Sequence, residues 1–257
     1  MISFVGAGPG AADLLTLRAV QRLAAADVVL WAGSLVSDEV LVHCRIGVEL
    51  HDTKTMTLEQ VVAVFAANPD GALVRLHSGD PSIYSSINEQ IAWCVANERC
   101  FEVVPGVSAV SAAAAAVAAE LTVPGISQTV ILTRLAKRTV ASLGAGDDFA
   151  SLAALGSVMA LFLSAGHPES LQMQLLAPGS AYTVDTPAVI AHRVSWPDER
   201  LITTTVGRLA ADLNEHGIRM SALVLVGDAL ATARPAGAGR SHIYDPAFTT
   251  SYREATE

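Results

Sequence analysis

The chain of 257 residues is 51% hydrophobic but only 5% aromatic, with a formal net charge of −9 at pH 7. That length predicts two compact units, and that composition predicts packing chiefly by Ala, Val and Leu in a globular α/β protein. The acidic balance argues against a nucleic-acid binder, and three cysteines, Cys44, Cys94 and Cys100, without a CxxC pair argue against a disulfide framework or a zinc site.

Met1 leads straight into an apolar run and a glycine turn, without the charged start and apolar stretch of a signal peptide, so the expected compartment is the cytoplasm. The run Ile2 to Val5 ends in Gly6, Gly8 and Gly10, and Leu14, Leu17, Arg18 and Leu23 then follow at helical spacing. This reads as strand, turn and helix. The same order recurs at Val28 to Trp31, at Leu73 to Leu76 before Gly79, and at Phe101 to Val104 before Pro105 and Gly106. Repeated strand-then-helix units predict mainly parallel sheets.

The Ala-rich stretch Val107 to Ala119 stops at Glu120, short of the about 20 residues that span a bilayer, and reads as a buried helix. Pro124 and Gly125 mark a boundary, so the expected organisation is an N-terminal domain over 1–121, a linker over 122–128, a C-terminal α/β domain over 129–230 and an irregular tail over 231–257. In the second domain, strands are expected at Val130 to Leu132, Val158 to Leu163, Ala188 to Ala191, Leu201 to Thr205 and Ala222 to Val226. Helices are expected at Glu169 to Leu176 and Val206 to Glu215.

Three glycine-containing turns follow strands: Gly6 to Gly10 (GAGPG), Ser78 to Ser82 (SGDPS) and Pro105 to Ala109 (PGVSA). Strand ends of this kind are where open α/β sheets bind ligands, so together they point to a small-ligand cleft. The first turn departs from a dinucleotide fingerprint, because Pro9 removes an amide donor and no acidic residue closes a plain second strand. Asp80 either accepts from an amino or hydroxyl group of a ligand or caps the next helix, and Ser108 is placed to cap the alanine-rich helix. The histidines, among them His51, His77, His167 and His192, are scattered without metal-ligand spacing, so no protein-bound metal is expected. His77 and Glu89 are weighed as proton-transfer groups, but no acid or base is assigned.

The ordered set GAGPG, SGDPSIY and VPGVSA, with LFLSAGH at Leu161 to His167, PAVIAHRVSWPDE at Pro187 to Glu199 and ALVLVGDAL at Ala222 to Leu230, resembles the tetrapyrrole methylase family along nearly the whole chain. The resemblance implies two α/β domains with S-adenosylmethionine in a trough between them, a homodimer, and a precorrin or other tetrapyrrole as substrate. WAGSLV at Trp31 to Val36 and SHIYDPAF at Ser241 to Phe248 are most similar to the branch that methylates C-11 of precorrin-4, a step of cobalamin biosynthesis. Metal-free and cobalt-containing substrates both stay open. Carried over by motif, the cofactor contacts are Pro9, Gly79, Asp80, Ile83, Ser108, Ala109, Leu163, Val194 and Ala222.

A macrocycle bearing carboxylates would need local cations on this acidic chain, and Arg134, Lys137, Arg138 and Arg193 are the candidates. The stretch TRLAKRT at Thr133 to Thr139 is either a carboxylate clamp or a solvated charged turn. Two readings from other classes remain in view. A binding protein that keeps the fold without turnover would show no methyl transfer, and an NAD-dependent dehydrogenase would need a pyrophosphate fingerprint.

Overall fold

A computed structural model describes residues 1–135, 144, 148–231 and 241–256. These fall into two compact units, Met1–Ala113 with Arg193–Glu199, and Ala114–His192 with Arg200–Glu257. The division falls ahead of segment 122–128, which lies inside the second unit. Val123 there is buried against Val158 and Ala229.

The first unit holds strands β1 (Ile2–Gly6), β2 (Val28–Trp31), β3 (Glu49–Asp52), β4 (Leu73–His77) and β5 (Phe101–Val104) in the order β3-β2-β4-β1-β5. All pairings in this sheet are parallel. Helices α1 (Leu17–Ala25), α2 (Leu58–Ala67) and α3 (Asn88–Ala96) accompany it, and α4 (Ala109–Ala116) begins in this unit and ends in the second. Both faces are covered, as a parallel sheet requires. Val5, Val29, Val74 and Leu76 pack with Ala19 and Leu23 of α1, while Ile2, Phe4, Leu30 and Leu73 pack with Val61 and Phe65 of α2 and Cys94 of α3.

Local chemistry sets the helix starts. Thr16 accepts from the Ala19 amide at 3.2 Å and delays α1, leaving Ala12–Leu14 as a 3-10 turn. Thr57 and Gln60 close a capping box on α2. Strand β3 is an addition to the sequence reading. Its four residues, ELHD, are exposed or half-buried at the sheet edge and offer no apolar run.

The second unit holds β6 (Val130–Arg134), β7 (Val158–Phe162), β8 (Pro187–His192), β9 (Arg200–Thr205) and β10 (Ala222–Val226) in the order β6-β7-β10-β8-β9. Helices α5 (Phe149–Ala153), α6 (Pro168–Leu175) and α7 (Leu209–Glu215) pack over Met159, Leu161, Ile190 and Val224. The α/β class holds, but strand direction departs from the parallel expectation. β6 and β7 run parallel, whereas β7–β10, β10–β8 and β8–β9 are antiparallel. The connection from His192 to Arg200 is too short for the crossover of about a dozen residues that a parallel pair needs.

Among the described residues no helix is long and apolar enough to cross a membrane. The alanine-rich stretch forms α4, with Val110 and Ala113 buried.

Candidate functional site

Because β4, β1 and β5 are neighbours and parallel, the turns that follow them stand side by side at the carboxyl edge of the first sheet. They are locked together by backbone. Ala7 donates to the His77 carbonyl at 2.8 Å, Gly8 to the Gly79 carbonyl at 3.2 Å, and Gly79 back to the Gly8 carbonyl at 2.7 Å. Gly79 takes φ +64, a conformation that side chains disfavour, and at Gly106 a Cβ would lie 2.8 Å from the Gly6 Cα. The approach of these strand ends therefore depends on their having no side chains.

The Asp80 carboxylate joins the second turn to the third. One oxygen accepts from the Gly106 amide at 2.9 Å, and the other accepts from the Ser82 amide at 2.8 Å and from the Ser82 hydroxyl. Burial opposes ionisation most strongly, but the Ser82 and Gly106 hydrogen bonds together outweigh it and hold the carboxyl below its ordinary range. Asp80 does not cap a helix, since α3 starts only at Asn88. With β3 counted, its turn follows the fourth strand rather than the third.

His77 is buried beneath this turn with its ring 6.1 Å from that of Phe4, and Nε2 has no hydrogen-bond partner among the described residues. Burial, and then the nearby Arg75 cation, push its pKa down to about 3, so the ring is neutral and packs rather than carrying protons at neutral pH. Glu89 lies exposed in the first turn of α3.

The other expected contacts divide between the units. In the first, Ile83 is half-buried and donates its amide to the Asp80 carbonyl at 3.2 Å. Ser108 caps α4 by accepting from the Val110 amide at 3.3 Å, Ala109 opens that helix, and Val194 is buried. In the second, Leu163 follows β7, is exposed and takes φ +52. Ala222 opens β10, and the pairing of Leu161 with Val224 sets Ala222 and Leu163 at the same end of that sheet.

Of the expected cations, Arg134 ends β6 opposite Phe162, while Lys137 and Arg138 lie outside the described residues. Arg193 is engaged within its own loop. Its guanidinium sits 3.9 Å from the centre of the Trp196 ring, and its Nε pairs with Asp198 at 2.7 Å. Among the described residues no group of three His, Cys, Asp or Glu side chains could hold a metal ion.

Sequence reasoning missed the residues that hold the first turn. The Trp196 indole donates to the Pro9 carbonyl at 2.9 Å, and the Ser195 hydroxyl accepts from the Ala11 amide at 3.0 Å. Only the segment RVSWPDE, quoted above as a whole, carried them, and nothing in its pattern points at a turn 187 residues away. A phosphate cradle needs free amides, yet those of Ala7, Gly8, Ala11, Gly79 and Gly106 all donate within the protein and Pro9 has none.

The sequence pattern of the tetrapyrrole (corrin/porphyrin) methylases matches residues 1–210. This chain belongs to that family. Among relatives of this methylase, a precorrin-4 C(11)-methyltransferase of Mycobacterium tuberculosis is 42% identical over 231 residues, covering 89% of this chain and 91% of the relative. A cobalt-precorrin-4 C(11)-methyltransferase of Priestia megaterium is 38% identical over 255 residues, covering 98% of this chain and 97% of the relative. The X-ray structure of a cobalt precorrin-4 methyltransferase, a cobalamin biosynthetic enzyme, superposes with a TM-score of 0.85 at 38% identity, covering 90% of this methylase and 95% of that chain.

Proposed function

We propose that this methylase transfers a methyl group from S-adenosylmethionine to C-11 of precorrin-4, giving precorrin-5 in cobalamin biosynthesis. The observation that carries this reading is its 42% identity, over 89% of the chain, to a precorrin-4 C(11)-methyltransferase. The similarity to cobalt-precorrin-4 enzymes keeps the cobalt-containing macrocycle as a second substrate reading.

Bound at the glycine turns, S-adenosylmethionine would supply an electrophilic methyl whose C–S bond breaks as an electron pair of the macrocycle forms the C–C bond. The chain's own contribution is positional. Turns fused by backbone contacts and by Asp80 present a rigid edge, and rigidity lowers the barrier by holding reactants in one geometry. The ionised Asp80 adds negative charge near a cationic ligand, although its oxygens already accept from Gly106 and Ser82. Pro9, Gly79, Ile83, Ser108, Ala109, Leu163, Val194 and Ala222 would contribute apolar and backbone contacts. Arg134, Lys137 and Arg138 stay the candidate cations for substrate carboxylates, and no side chain is assigned as acid or base.

The reading includes a homodimer acting in the cytoplasm. Calorimetry tests its core: S-adenosylhomocysteine binds with one site per chain, and NADH does not. Binding of NADH without S-adenosylhomocysteine would overturn it, and a monomer by light scattering at micromolar concentration would remove the dimer.

A further inference from the structure

We propose that Trp196, supported by Ser195 and Arg193, is a positioning residue for the cofactor, fixing the Pro9 turn and Val194 in one short loop. The inference rests on the S-adenosylmethionine reading above. The loop Arg193–Glu199 leaves β8 of the second unit, groups with the first unit, and returns to β9. Arg193 at φ +49 and Ser195 at φ +64 both adopt the left-handed region, which strains residues with a side chain and persists only where surrounding contacts impose it.

Those contacts are all present. The Trp196 amide donates to the Arg193 carbonyl at 2.9 Å, the Ser195 amide donates to Glu199 at 2.6 Å, and Arg193 is held between Asp198 and the Trp196 ring. Their product is an indole N–H and a hydroxyl presented to the first turn, where Trp196 Nε1 lies 2.7 Å from the place a Gly10 Cβ would occupy. The Pro9 turn cannot satisfy itself locally, since its carbonyl finds its donor in Trp196 and the Ala11 amide finds its acceptor in Ser195. Two residues assigned to the cofactor, Pro9 and Val194, are thus set by the same brace. An arginine face on the indole also strengthens its N–H as a donor. Arg193 acts in this brace rather than as a carboxylate clamp.

Calorimetry with S-adenosylhomocysteine on wild type, Trp196→Phe and Arg193→Gln tests the brace, alongside unliganded melting and the precorrin-4 KM at saturating S-adenosylmethionine. Trp196→Phe keeps an aromatic ring and loses the N–H, so the S-adenosylhomocysteine Kd should rise about tenfold while the precorrin-4 KM stays within about twofold. Arg193→Gln should shift the same Kd in the same direction by less. A Trp196→Phe chain that melts lower yet binds S-adenosylhomocysteine like wild type overturns the proposal, as does a rise in precorrin-4 KM alone. If Trp196→Phe does not fold, Ser195→Ala takes its place, with a Kd raised about threefold or more supporting the brace and an unchanged Kd overturning it. A wild-type chain that binds no S-adenosylhomocysteine refutes the cofactor reading itself.

Discussion

The Asp80 carboxylate accepts the backbone N–H of Gly106 at 2.9 Å, tying the turn after β4 to the turn after β5. Asn at this position offers one carbonyl oxygen where the structure uses two acceptors, so either the Gly106 amide or the Ser82 donors lose their partner. Asp80→Asn should therefore destabilise the unliganded protein by about 1–2 kcal/mol and also weaken S-adenosylhomocysteine binding, because the edge it fixes is the ligand edge. Denaturant unfolding with parallel calorimetry checks both effects, and unchanged stability would show that the Gly106 link carries no weight.

The close approach of Gly6, Gly79 and Gly106 makes a second prediction. A Cβ at Gly106 meets backbone atoms of Gly6 and Gly79, which cannot swing aside as a side chain would. Gly106→Ala should cost about 3 kcal/mol or prevent folding. Gly71→Ala, where a Cβ meets nothing nearer than Leu73 Cδ1 at 3.5 Å, should change stability by no more than about 0.5 kcal/mol. Melting curves of the pair decide it, and similar losses at both positions would contradict the fused-edge account.

His77 should leave a signature in the pH dependence of stability. Its folded pKa is pushed down to about 3, whereas the unfolded chain titrates near 6.5. Between these values the unfolded state binds the proton first, so stability falls as pH drops from about 6.5 towards 3 and is untouched above that window. The loss approaches about 1.4 kcal/mol per pH unit at most. His77→Leu should flatten the decline in melting temperature between about pH 6.5 and 5, and an unaltered decline would show that the ring takes up a proton in the folded state.

How far the sequence revealed this architecture depends on the range of the interaction concerned. The turns were legible because glycine after an apolar run is a local signal, as at Gly6 and Gly79. Their convergence follows from the order β4-β1-β5, which no local pattern encodes. β3 escaped notice because an edge strand reading ELHD has no apolar face to display. The antiparallel β8, β9 and β10 read like any buried strands, since hydrophobic periodicity is blind to direction. For Asp80 the helix-cap alternative fails because α3 starts only at Asn88, and its tie to Gly106, 26 residues on, has no local signal. The contact of Trp196 with Pro9 had no sequence signal at all, being created by a loop folding back on the first turn.

Methylation of C-11 on precorrin-4 is read out by locating the transferred methyl. Purified protein is incubated with precorrin-4 and S-adenosylmethionine carrying a 13C-labelled methyl, and the product is examined by NMR. The expected product carries a single new labelled methyl at C-11, formed together with S-adenosylhomocysteine. A label at another carbon, or no transfer from a protein shown to bind S-adenosylhomocysteine and supplied with either the metal-free or the cobalt-containing macrocycle, would contradict it.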